Sequence, residues 1–361
     1  MRIQAATAFL VDIPVETKRT DAIQAFLKQE TIFVELRCDD GSVGLGYSYT
    51  IGTGGRAVLA MLETDLLPEI IGEDARRIEA IWQKLFWWIH ATTVGAISSL
   101  ALAAIDFALW DIKAKAANEP LWVLAGGAQD RIPLYDTEGG WLHYDIGRLV
   151  EGASRARENG WRGIKLKIGK PSLSEDAERL RAVREAIGDR MALMVDANQS
   201  FTYPEARRRL PMLTEYDVAW FEEPLPADDV AGHRLLSDQS TVPIAVGESL
   251  YSVGSFREYL AQGAAGIIQV DAARVGGITP WLKVAHLAEA FNIAVAPHFL
   301  MEIHVGLACA VPNGVFVEYI PQLRSVMTEE IAIEDGYAVP SQMVGLGIAW
   351  DREAFQRMRV K

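Results

Sequence analysis

The hydrophobic and polar positions follow two different rhythms on either side of about residue 128. In the first stretch, TIFVELRCDDGSVGLGYSY alternates apolar and polar residues around an Asp-Asp-Gly turn, which predicts a β-hairpin. From about Arg56 to Ala117 the period becomes helical, and ISSLALAAIDFALWDIKAKA is apolar on nearly every face, which predicts a buried helix. This part of the chain is therefore expected to form an α+β unit.

Beyond this point, short apolar strands alternate with helical segments. The predicted strands contain IPLYDT, GIKLKIG, ALMVDAN, VAWFEEP, VPIAVGES, GIIQVDA, IAVAPH and VFVEYI. Eight such strands separated by helices indicate a closed parallel barrel. We therefore predict the α/β class, with an α+β capping domain at 1–128, a modified (β/α)8, TIM-like barrel at 129–326, and a tail at 327–361 that returns to the capping domain.

Composition and charge exclude several classes of protein. The 361 residues carry a net charge of −13 and no basic run longer than Arg207–Arg209, so no nucleic-acid partner is expected. Charges interrupt the apolar runs well before the roughly 18 residues of a membrane span, and the N-terminus lacks a signal-peptide pattern. The only cysteines, Cys38 and Cys309, cannot build a disulfide framework or a thiolate metal site. A cytoplasmic protein without a membrane partner is expected.

Charged side chains recur at the same place in successive strand–helix units, near the carboxyl end of each predicted strand. They are Lys167, Asp196, Glu222, Glu248, Asp271, His298 and Glu318, separated by 29, 26, 26, 23, 27 and 20 residues. Because the carboxyl ends of barrel strands meet at one rim, these groups are expected to surround one central space. Independent solvated charges would not share this spacing.

Three consecutive strand ends supply the carboxylates of Asp196, Glu222 and Glu248. Held close together, these groups would repel one another and raise one another's pKa, and a hard divalent cation removes that cost. Three carboxylate oxygens, completed by water or substrate, make an octahedral Mg²⁺ site, which would also accept Mn²⁺. The alternative is three separately paired structural acids, which the regular spacing disfavours.

Two candidate bases flank this predicted metal site. Lys165 and Lys167 share one face of a strand, where each ammonium lowers the pKa of the other, so that Lys167 would serve as a general base. The alternative is a solvated edge strand guarded by lysines. On the opposite side, Asp271 would fix the tautomer of His298 and raise its basicity. Glu318 would give a proton or hydrogen bond to an oxyanion if it is held neutral.

A divalent metal with a base on each side suits removal of the proton α to a carboxylate. The metal binds the carboxylate of a small acid, one base takes the α-proton, and the metal stabilises the enediolate. The second base either reprotonates the opposite face, which is racemisation, or protonates a leaving β-hydroxide, which is dehydration. A remote third hypothesis is a barrel that binds a metal-bound acid without turning it over.

The motifs in combination resemble those of the mandelate racemase subgroup of the enolase superfamily, across essentially the whole chain. They are KLK at 165–167, DAN at 196–198, EEP at 222–224, GES at 247–249, DAARVGG at 271–277, PH at 297–298 and Glu318. The resemblance implies the same roles for the lysines, the three metal ligands and the His298–Asp271 pair. It also implies that Asn198 contacts the substrate and that Glu318 hydrogen-bonds the substrate carboxylate.

Within this subgroup, DTEGGWLH, KLKIGKP, LMVDANQ and APHFLMEIH look most like acid-sugar dehydratases of the talarate/galactarate type. This likeness implies dehydration of an aldarate or aldonate to a 2-keto-3-deoxy acid, with a 2-hydroxyacid racemase or epimerase as the alternative. Such enzymes carry basic residues after the GYSY hairpin to meet a second carboxylate, whereas Thr50–Thr53 follow it here. Mono- and diacid substrates therefore both stay open.

The resemblance also implies a loop that closes over the barrel mouth and contacts the distal part of the substrate. In this chain the loop is ETKRTDAIQ, and its residues Lys18, Arg19 and Thr20 suit a polyhydroxy acid better than an aryl group. The alternative is a merely solvated loop. Further candidate contacts are Tyr49 and Thr137, or its neighbour Glu138.

An aromatic cluster lies in the helical part of the predicted capping domain, at Trp82, Phe86, Trp87 and Trp88. It is expected to belong to the core or to a packing surface rather than to a binding site. The family resemblance implies a homo-oligomer, often an octamer, and exposed members of this cluster would suit a subunit interface.

Overall fold

The computed structural model describes residues 1–360, and its amino-terminal part is built on a three-stranded antiparallel sheet. The strands are β1 Ile3–Ile13, β2 Arg19–Thr20, β3 Ala25–Phe26, β4 Gln29–Cys38 and β5 Val43–Thr50. The helices are α1 Gly55–Met61, a π-helical segment Leu62–Leu66, α2 Leu67–Ile70, α3 Ile78–Trp88, α4 Ala96–Ala117 and α5 Leu121–Leu124. The sheet order is β1–β4–β5, so the predicted hairpin is the β4–β5 pair.

Helix α4 is buried along most of its length, as its apolar sequence predicts. Two acids on this helix tie separate parts of the chain together. Asp106 accepts hydrogen bonds from the barrel residue Thr279, from its N–H at 2.9 Å and from its hydroxyl at 2.6 Å. Asp111 accepts from the backbone of Leu45 at 3.0 Å and of Leu346 at 3.1 Å. The helix therefore joins the antiparallel sheet to both the barrel and the tail.

Eight parallel strands form a closed barrel, as the alternating pattern predicts. They are β6 Ile132–Asp136, β7 Gly163–Lys167, β8 Ala192–Asp196, β9 Val218–Glu222, β10 Ile244–Val246, β11 Ile267–Ile268, β12 Ala294–Val295 and β13 Val317–Tyr319. Strands β6 to β12 pair in chain order, and β13 pairs with β6. Closure is completed where Val295 donates to the Asn313 carbonyl at 2.8 Å and its own carbonyl accepts from Val315 at 2.9 Å.

Helices connect the barrel strands. They are α6 Ile146–Glu158, α7 Leu173–Ile187, α8 Tyr203–Glu215, α9 Val230–Ser237, α10 Val253–Gln262, α11 Ile278–Ala290 and α12 Met301–Ala310. In the part of the chain that the structure describes, no helix combines the length and apolarity needed to span a membrane.

Apolar side chains fill the inside of the barrel below its polar end. They are Tyr135, Met194, Trp220, Ala245 and Ala296. The rings of Tyr135 and Trp220 meet edge to face with centroids 5.5 Å apart. Because side chains two residues apart share a face of a strand, Met194 and Trp220 lie one layer beneath the acids that end their strands. The barrel is thus a packed core whose ionisable groups are confined to one end.

The carboxyl-terminal segment contacts both parts of the molecule. After a 3₁₀ turn at Arg324–Val326, the hairpin β14 Ala332–Glu334 and β15 Tyr337–Val339 pairs antiparallel with the start of β6. The chain then reaches the antiparallel sheet, where the ring of Trp350 lies 5.2 Å from that of Phe33, and ends in α13 Arg352–Met358. Strand signals in the tail were visible in the sequence, whereas the pairing with β6 was not. The predicted domain limit at 128 falls between α5 and β6.

Candidate active site

The seven groups predicted from strand spacing lie together at the carboxyl ends of the barrel strands. In the parallel register, Lys167 lies opposite Asp196, and Asp196 lies opposite Glu222. Lys165 spans the rim, with its Nζ 2.9 Å from Glu222 Oε1 and 2.7 Å from Glu318 Oε1. All seven side chains are buried. The rim is therefore a connected network of opposite charges.

Two glycines in the quoted motifs allow the backbone to pack closely at this rim. A Cβ on Gly140 would overlap the carbonyl oxygen of Lys165, and the Gly140 carbonyl accepts from the N–H of Lys167 at 2.8 Å. Gly247 has a φ of 154°, and a Cβ there would overlap the backbone of Gln269. These contacts fix the strand ends that carry Lys167 and Glu248.

The carboxylates of Asp196, Glu222 and Glu248 form a group that fits a divalent cation. One oxygen from each lies within 4.8 Å of the others, and all three are buried. Burial and the charge of Asp196 raise the pKa of Glu222 to about 7. Burial also raises the pKa of Asp196, but the charges of Lys167 and Lys165 outweigh it and bring that pKa below its usual value. A buried, all-oxygen, anionic donor set suits Mg²⁺ or Mn²⁺.

The two lysines contact the carboxylates directly. Lys167 Nζ contacts Asp196 Oδ2 and donates to Asn198 Oδ1 at 2.9 Å. Burial lowers the pKa of Lys167, and so does Lys165, but the charges of Asp196, Glu222 and Glu248 together outweigh both, and the pKa is raised. Burial likewise lowers the pKa of Lys165, which Glu222 and Glu318 raise well above its usual value. The net direction is thus opposite to the lowered pKa expected from two neighbouring ammonium groups, because the carboxylates are closer partners.

His298 lies on the opposite side of the carboxylate group. Its Nδ1 is 3.0 Å from Asp271 Oδ2 and its Nε2 is 3.2 Å from Glu248 Oε2. Burial lowers the pKa of His298, but the charge of Glu248 and the bond to Asp271 raise it overall. Burial raises the pKa of Asp271, yet the bond and charge of His298 lower it to about 2. Since an ionised carboxylate only accepts hydrogen bonds, Nδ1 carries the proton and Nε2 faces the site.

Glu318 is held as a carboxylate rather than a neutral acid. Its Oε1 accepts from the hydroxyl of Thr137 at 2.7 Å, and its Oε2 accepts from the N–H of Phe299 at 2.9 Å. Burial raises its pKa, but the charges of Lys165, His298 and Lys167 together outweigh burial and lower the pKa below its usual value. The expectation of a neutral proton donor did not include this ion pair with Lys165.

Only some of the residues predicted to contact the substrate lie at the buried group of charges. Arg19 is buried and pairs with Glu138, and Thr20 Oγ1 lies 2.8 Å from His143 Nδ1. Tyr49 donates its hydroxyl to Asp271 Oδ2 at 2.7 Å. The side chain of Lys18 is exposed, so the structure leaves it outside the buried group. Asn198 and Thr137, in contrast, touch Lys167 and Glu318.

Strands β2 and β3 form a short hairpin, residues 19–26, that we call the lid. Its Phe26 ring lies 6.1 Å from the ring of Phe299, which follows His298. Asp21, in the turn of the lid, is close enough to Lys167 for their charges to interact, although burial raises the pKa of Asp21 overall. Beneath the lid, only 5% of Lys167 and 8% of His298 is exposed. The lid therefore covers the acid–base groups.

Several residues of the site were missed by the sequence analysis. Arg274 donates to the backbone carbonyl of Glu248 at 2.9 Å, and Gln269 donates to Glu222 Oε2 at 2.7 Å. Both carried a signal, since Arg274 stands in the DAARVGG motif and Gln269 is two residues before Asp271, on the same face. Asp21 carried none, because nothing distinguishes it from other polar loop residues.

The two parts of the chain match known family models. Residues 5–126 match the N-terminal domain of mandelate racemase / muconate lactonizing enzymes, and residues 148–354 match the enolase C-terminal domain-like family. The chain belongs to the mandelate racemase / muconate lactonizing enzyme family. This assignment to the enolase superfamily confirms the resemblance found in the motifs.

Individual relatives in this family cover almost the whole chain. An L-talarate/galactarate dehydratase of Salmonella typhimurium is 37% identical over 98% of this chain and 90% of its own length. A 3,6-anhydro-alpha-L-galactonate cycloisomerase of Streptomyces coelicolor is 36% identical over 99% of both chains. The crystal structure of an L-talarate dehydratase from Polaromonas, complexed with Mg and L-glucarate, is 37% identical with a TM-score of 0.95, over 100% of this chain and 98% of that one.

Proposed function

We propose that this member of the mandelate racemase family is a Mg²⁺-dependent acid-sugar dehydratase that converts an aldonate or aldarate to a 2-keto-3-deoxy acid. One observation carries the proposal: a lysine and a histidine flank the three carboxylates on opposite sides, Lys167 at Asp196 and His298 at Glu248. The dehydratase relatives support the same reaction class.

Asp196, Glu222 and Glu248 would hold the metal. Mg²⁺ bound there supplies positive charge that acidifies the α-carbon of a bound carboxylate, stabilises the enediolate and offsets the carboxylate charges that raise the pKa of Lys167. Lys165, held between Glu222 and Glu318, has its ammonium fixed for a second contact to an anionic substrate oxygen.

Lys167 and His298 carry the proton transfers in this proposal. Either one removes the α-proton, according to the configuration of that carbon, and Asn198 orients Nζ of Lys167 for the transfer. His298 then gives a proton from Nε2 to the departing β-hydroxyl group, which leaves as water; this is the proton that His298 has just removed or, where Lys167 is the base, one that His298 carries from the start as an imidazolium. Asp271 stabilises that imidazolium through Nδ1. The enol left by this elimination tautomerises to the 2-keto-3-deoxy acid.

The racemase alternative is also compatible with the apolar surfaces at the mouth of the site. The rings of Phe26 and Phe299 lie 6.1 Å apart, and the ring of Trp141 lies 5.5 Å from Lys167 Nζ. Such surfaces suit an aryl acid as well as the C–H face of a sugar. Proton transfer at one carbon by Lys167 and His298 would then invert its configuration without elimination.

The deciding experiment is incubation with Mg²⁺ in D₂O, using sugar mono- and diacids and mandelate, followed by proton NMR. Loss of the α-proton signal together with a new C3 methylene pattern supports dehydration. Deuterium at the α-carbon of an intact acid favours the racemase. No exchange with any acid, in protein that still binds Mg²⁺, would contradict both reactions and support the binding barrel.

We also propose that the enzyme is a cytoplasmic homo-oligomer that acts on a small carboxylic acid, and the family resemblance implies an octamer. The exposed aromatic side chains on α3 support a subunit interface, because Trp87 is 61% and Trp88 is 56% exposed. Light scattering on wild type and on a Trp87→Ser/Trp88→Ser variant tests this proposal. An unchanged monomer in both would contradict it.

A further inference from the structure

The lid brings one buried cation to the mouth of the site, and that cation is already paired. Arg19 is 4% exposed. Its guanidinium donates to two side chains, from Nε to Glu138 Oε1 at 2.9 Å and from Nη1 to the side-chain oxygen of Gln322. Its Cζ also lies 5.3 Å from the centre of the Phe26 ring. The positive charge of Arg19 is therefore neutralised by a neighbouring carboxylate before any substrate enters.

This Arg19–Glu138 pair is close to the reacting groups. Glu138 Oε2 accepts from Trp141 Nε1 at 3.0 Å, and the Trp141 ring lies 5.5 Å from Lys167 Nζ. On the other side, Glu138 follows Thr137, whose hydroxyl donates to Glu318. The pair thus stands one side chain beyond the acid–base groups, where the distal end of a bound acid would lie.

The other buried cations of residues 1–360 are also engaged. Arg209 pairs with Asp176 at 3.1 Å, and Arg179 donates to backbone carbonyls, including that of Tyr144 at 2.7 Å. Lys165 and Lys167, together with the largely buried Arg274, pair with the metal-binding carboxylates and belong to the reacting end. None of these groups offers an unneutralised charge under the lid.

The remaining charges near the lid do not replace a buried cation. Lys18 and His143 are exposed and Lys170, next to the lid, is partly exposed, so water and salt weaken an ion pair of any of them with a substrate. Asp21 adds a carboxylate on the lid itself, close enough to Lys167 for their charges to interact. A second carboxylate placed here would lose its hydration without gaining a cationic partner, and such burial is unfavourable.

From this pairing we infer that the substrate carries a single carboxylate, at its reacting end, and an uncharged polyhydroxy or anhydro-sugar tail beneath the lid. The inference rests on the proposed function and narrows it to aldonate-type acids. Hydroxyl groups would be recognised by neutral groups such as Gln322 and Thr20, and the rings of Phe26 and Phe299 offer surfaces for C–H groups.

The first test compares acids of equal configuration that differ only at C6, galactonate with galactarate and gluconate with glucarate, on wild type with Mg²⁺. We expect kcat/KM for keto-acid formation to favour the aldonate at least about tenfold. If neither acid of a pair is turned over, their Mg²⁺-dependent binding to the Lys167→Ala protein is measured by calorimetry. The affinity for the aldonate should then exceed that for the aldarate by the same factor. An aldarate that is preferred, or an aldonate preference well below this ratio, overturns the inference.

The second test releases the charge of Arg19. Glu138→Gln keeps the shape of the side chain and an oxygen for Trp141, so we expect the aldarate-to-aldonate ratio to rise about tenfold. The matched control, Glu151→Gln, removes one negative charge at an exposed position on α6 and should leave the ratio unchanged. Equal changes for both acids in Glu138→Gln would overturn the inference. If no acid undergoes exchange or binds in a Mg²⁺-dependent way, the proposed function itself is contradicted. A preference for the aldarate would contradict only the inference.

Discussion

At the scale of single residues, the charges of the site act in contact with one another. Lys165 lies between Glu222 and Glu318, and His298 lies between Asp271 and Glu248. Removing one member leaves its partners buried and unpaired, which costs more than the lost contact alone. Substitutions here therefore need readouts that separate lost chemistry from lost folding.

Lys167→Ala tests the role of the proposed base. We expect kcat to fall by about 10²- to 10⁴-fold, the usual contribution of a general acid–base group, while Mg²⁺ binding persists. The measurement is keto-acid formation together with calorimetric Mg²⁺ titration. Lys170→Ala, three residues further along and partly exposed, is the control and should retain activity. A loss of less than about tenfold in Lys167→Ala would contradict a role in proton transfer.

His298→Asn tests the second base separately. The amide keeps a hydrogen bond to Asp271 but cannot carry a proton to a leaving group. We expect about a 10²-fold or greater loss of dehydration. With an acid whose α-proton is taken by Lys167, deuterium exchange should continue in this variant. Dehydration at the wild-type rate would show that His298 does not assist departure of the hydroxyl group.

Glu302, at the start of α12, makes stability depend on pH. Burial raises its pKa to about 7, so between about pH 4.5 and 7 the folded protein binds more protons than the unfolded chain. The free energy of unfolding therefore falls as pH rises through this window, by up to about 3 kcal/mol at 1.36 kcal/mol per pKa unit. The free energies of unfolding of wild type and Glu302→Gln, measured in denaturant, should diverge as pH rises from 4.5 to 7. The variant should be the more stable of the two at pH 8. Parallel curves would contradict the assignment.

The sequence predicted how the residues that repeat with the fold come together, but it did not predict which of the other candidate residues pair with one another. Asp196 and Glu222 end successive strands and Glu248 lies two residues past the end of the next, so spacing alone brings them together. Arg19 and Glu138 are 119 residues apart in different parts of the chain, and no period relates them. The direction of the Lys167 pKa was also unpredictable, since it depends on which charge lies closest.

At the scale of elements, α4 and the lid show two different uses of buried polar groups. Asp111 on α4 satisfies backbone N–H groups of β5 and of the tail, so it serves the packing of elements. The lid is held by Arg19 and by the Thr20 carbonyl, which accepts from Leu142 at 3.0 Å. The binary pattern predicted α4 as a buried helix, but it gave no reason for the acids within that helix.

Asp111→Ala is expected to destabilise the protein without altering its acid–base groups. It leaves the N–H groups of Leu45 and Leu346 buried without acceptors, at about 1–3 kcal/mol each. The free energy of unfolding in denaturant should therefore fall by about 2–5 kcal/mol. Glu63→Ala, at an exposed position, is the control and should change it by less than about 0.5 kcal/mol. A similar small effect at Asp111 would contradict the role of this contact.

At the scale of the whole molecule, metal binding links the site to global stability. Because the three carboxylates converge only in the folded barrel, Mg²⁺ should stabilise the folded state by about 2.7 kcal/mol at about 100 times its Kd. Denaturant melts with Mg²⁺ and with EDTA measure this difference. Asp196→Asn should lose most of it, whereas the exposed Asp189→Asn should keep it. Equal melts with and without the metal would contradict the proposed ligand set.

The closure of the barrel between β13 and β6 also bears on synthesis of the chain. Val317 pairs with Leu134, which lies 183 positions earlier in the sequence, and Glu318 is the last of the rim groups to leave the ribosome. A nascent chain that stops before this strand lacks one side of the rim and leaves β6 with an unpaired edge. Chains that end before the last barrel strand are therefore expected to be inactive rather than weakly active. Activity would require translation past that strand.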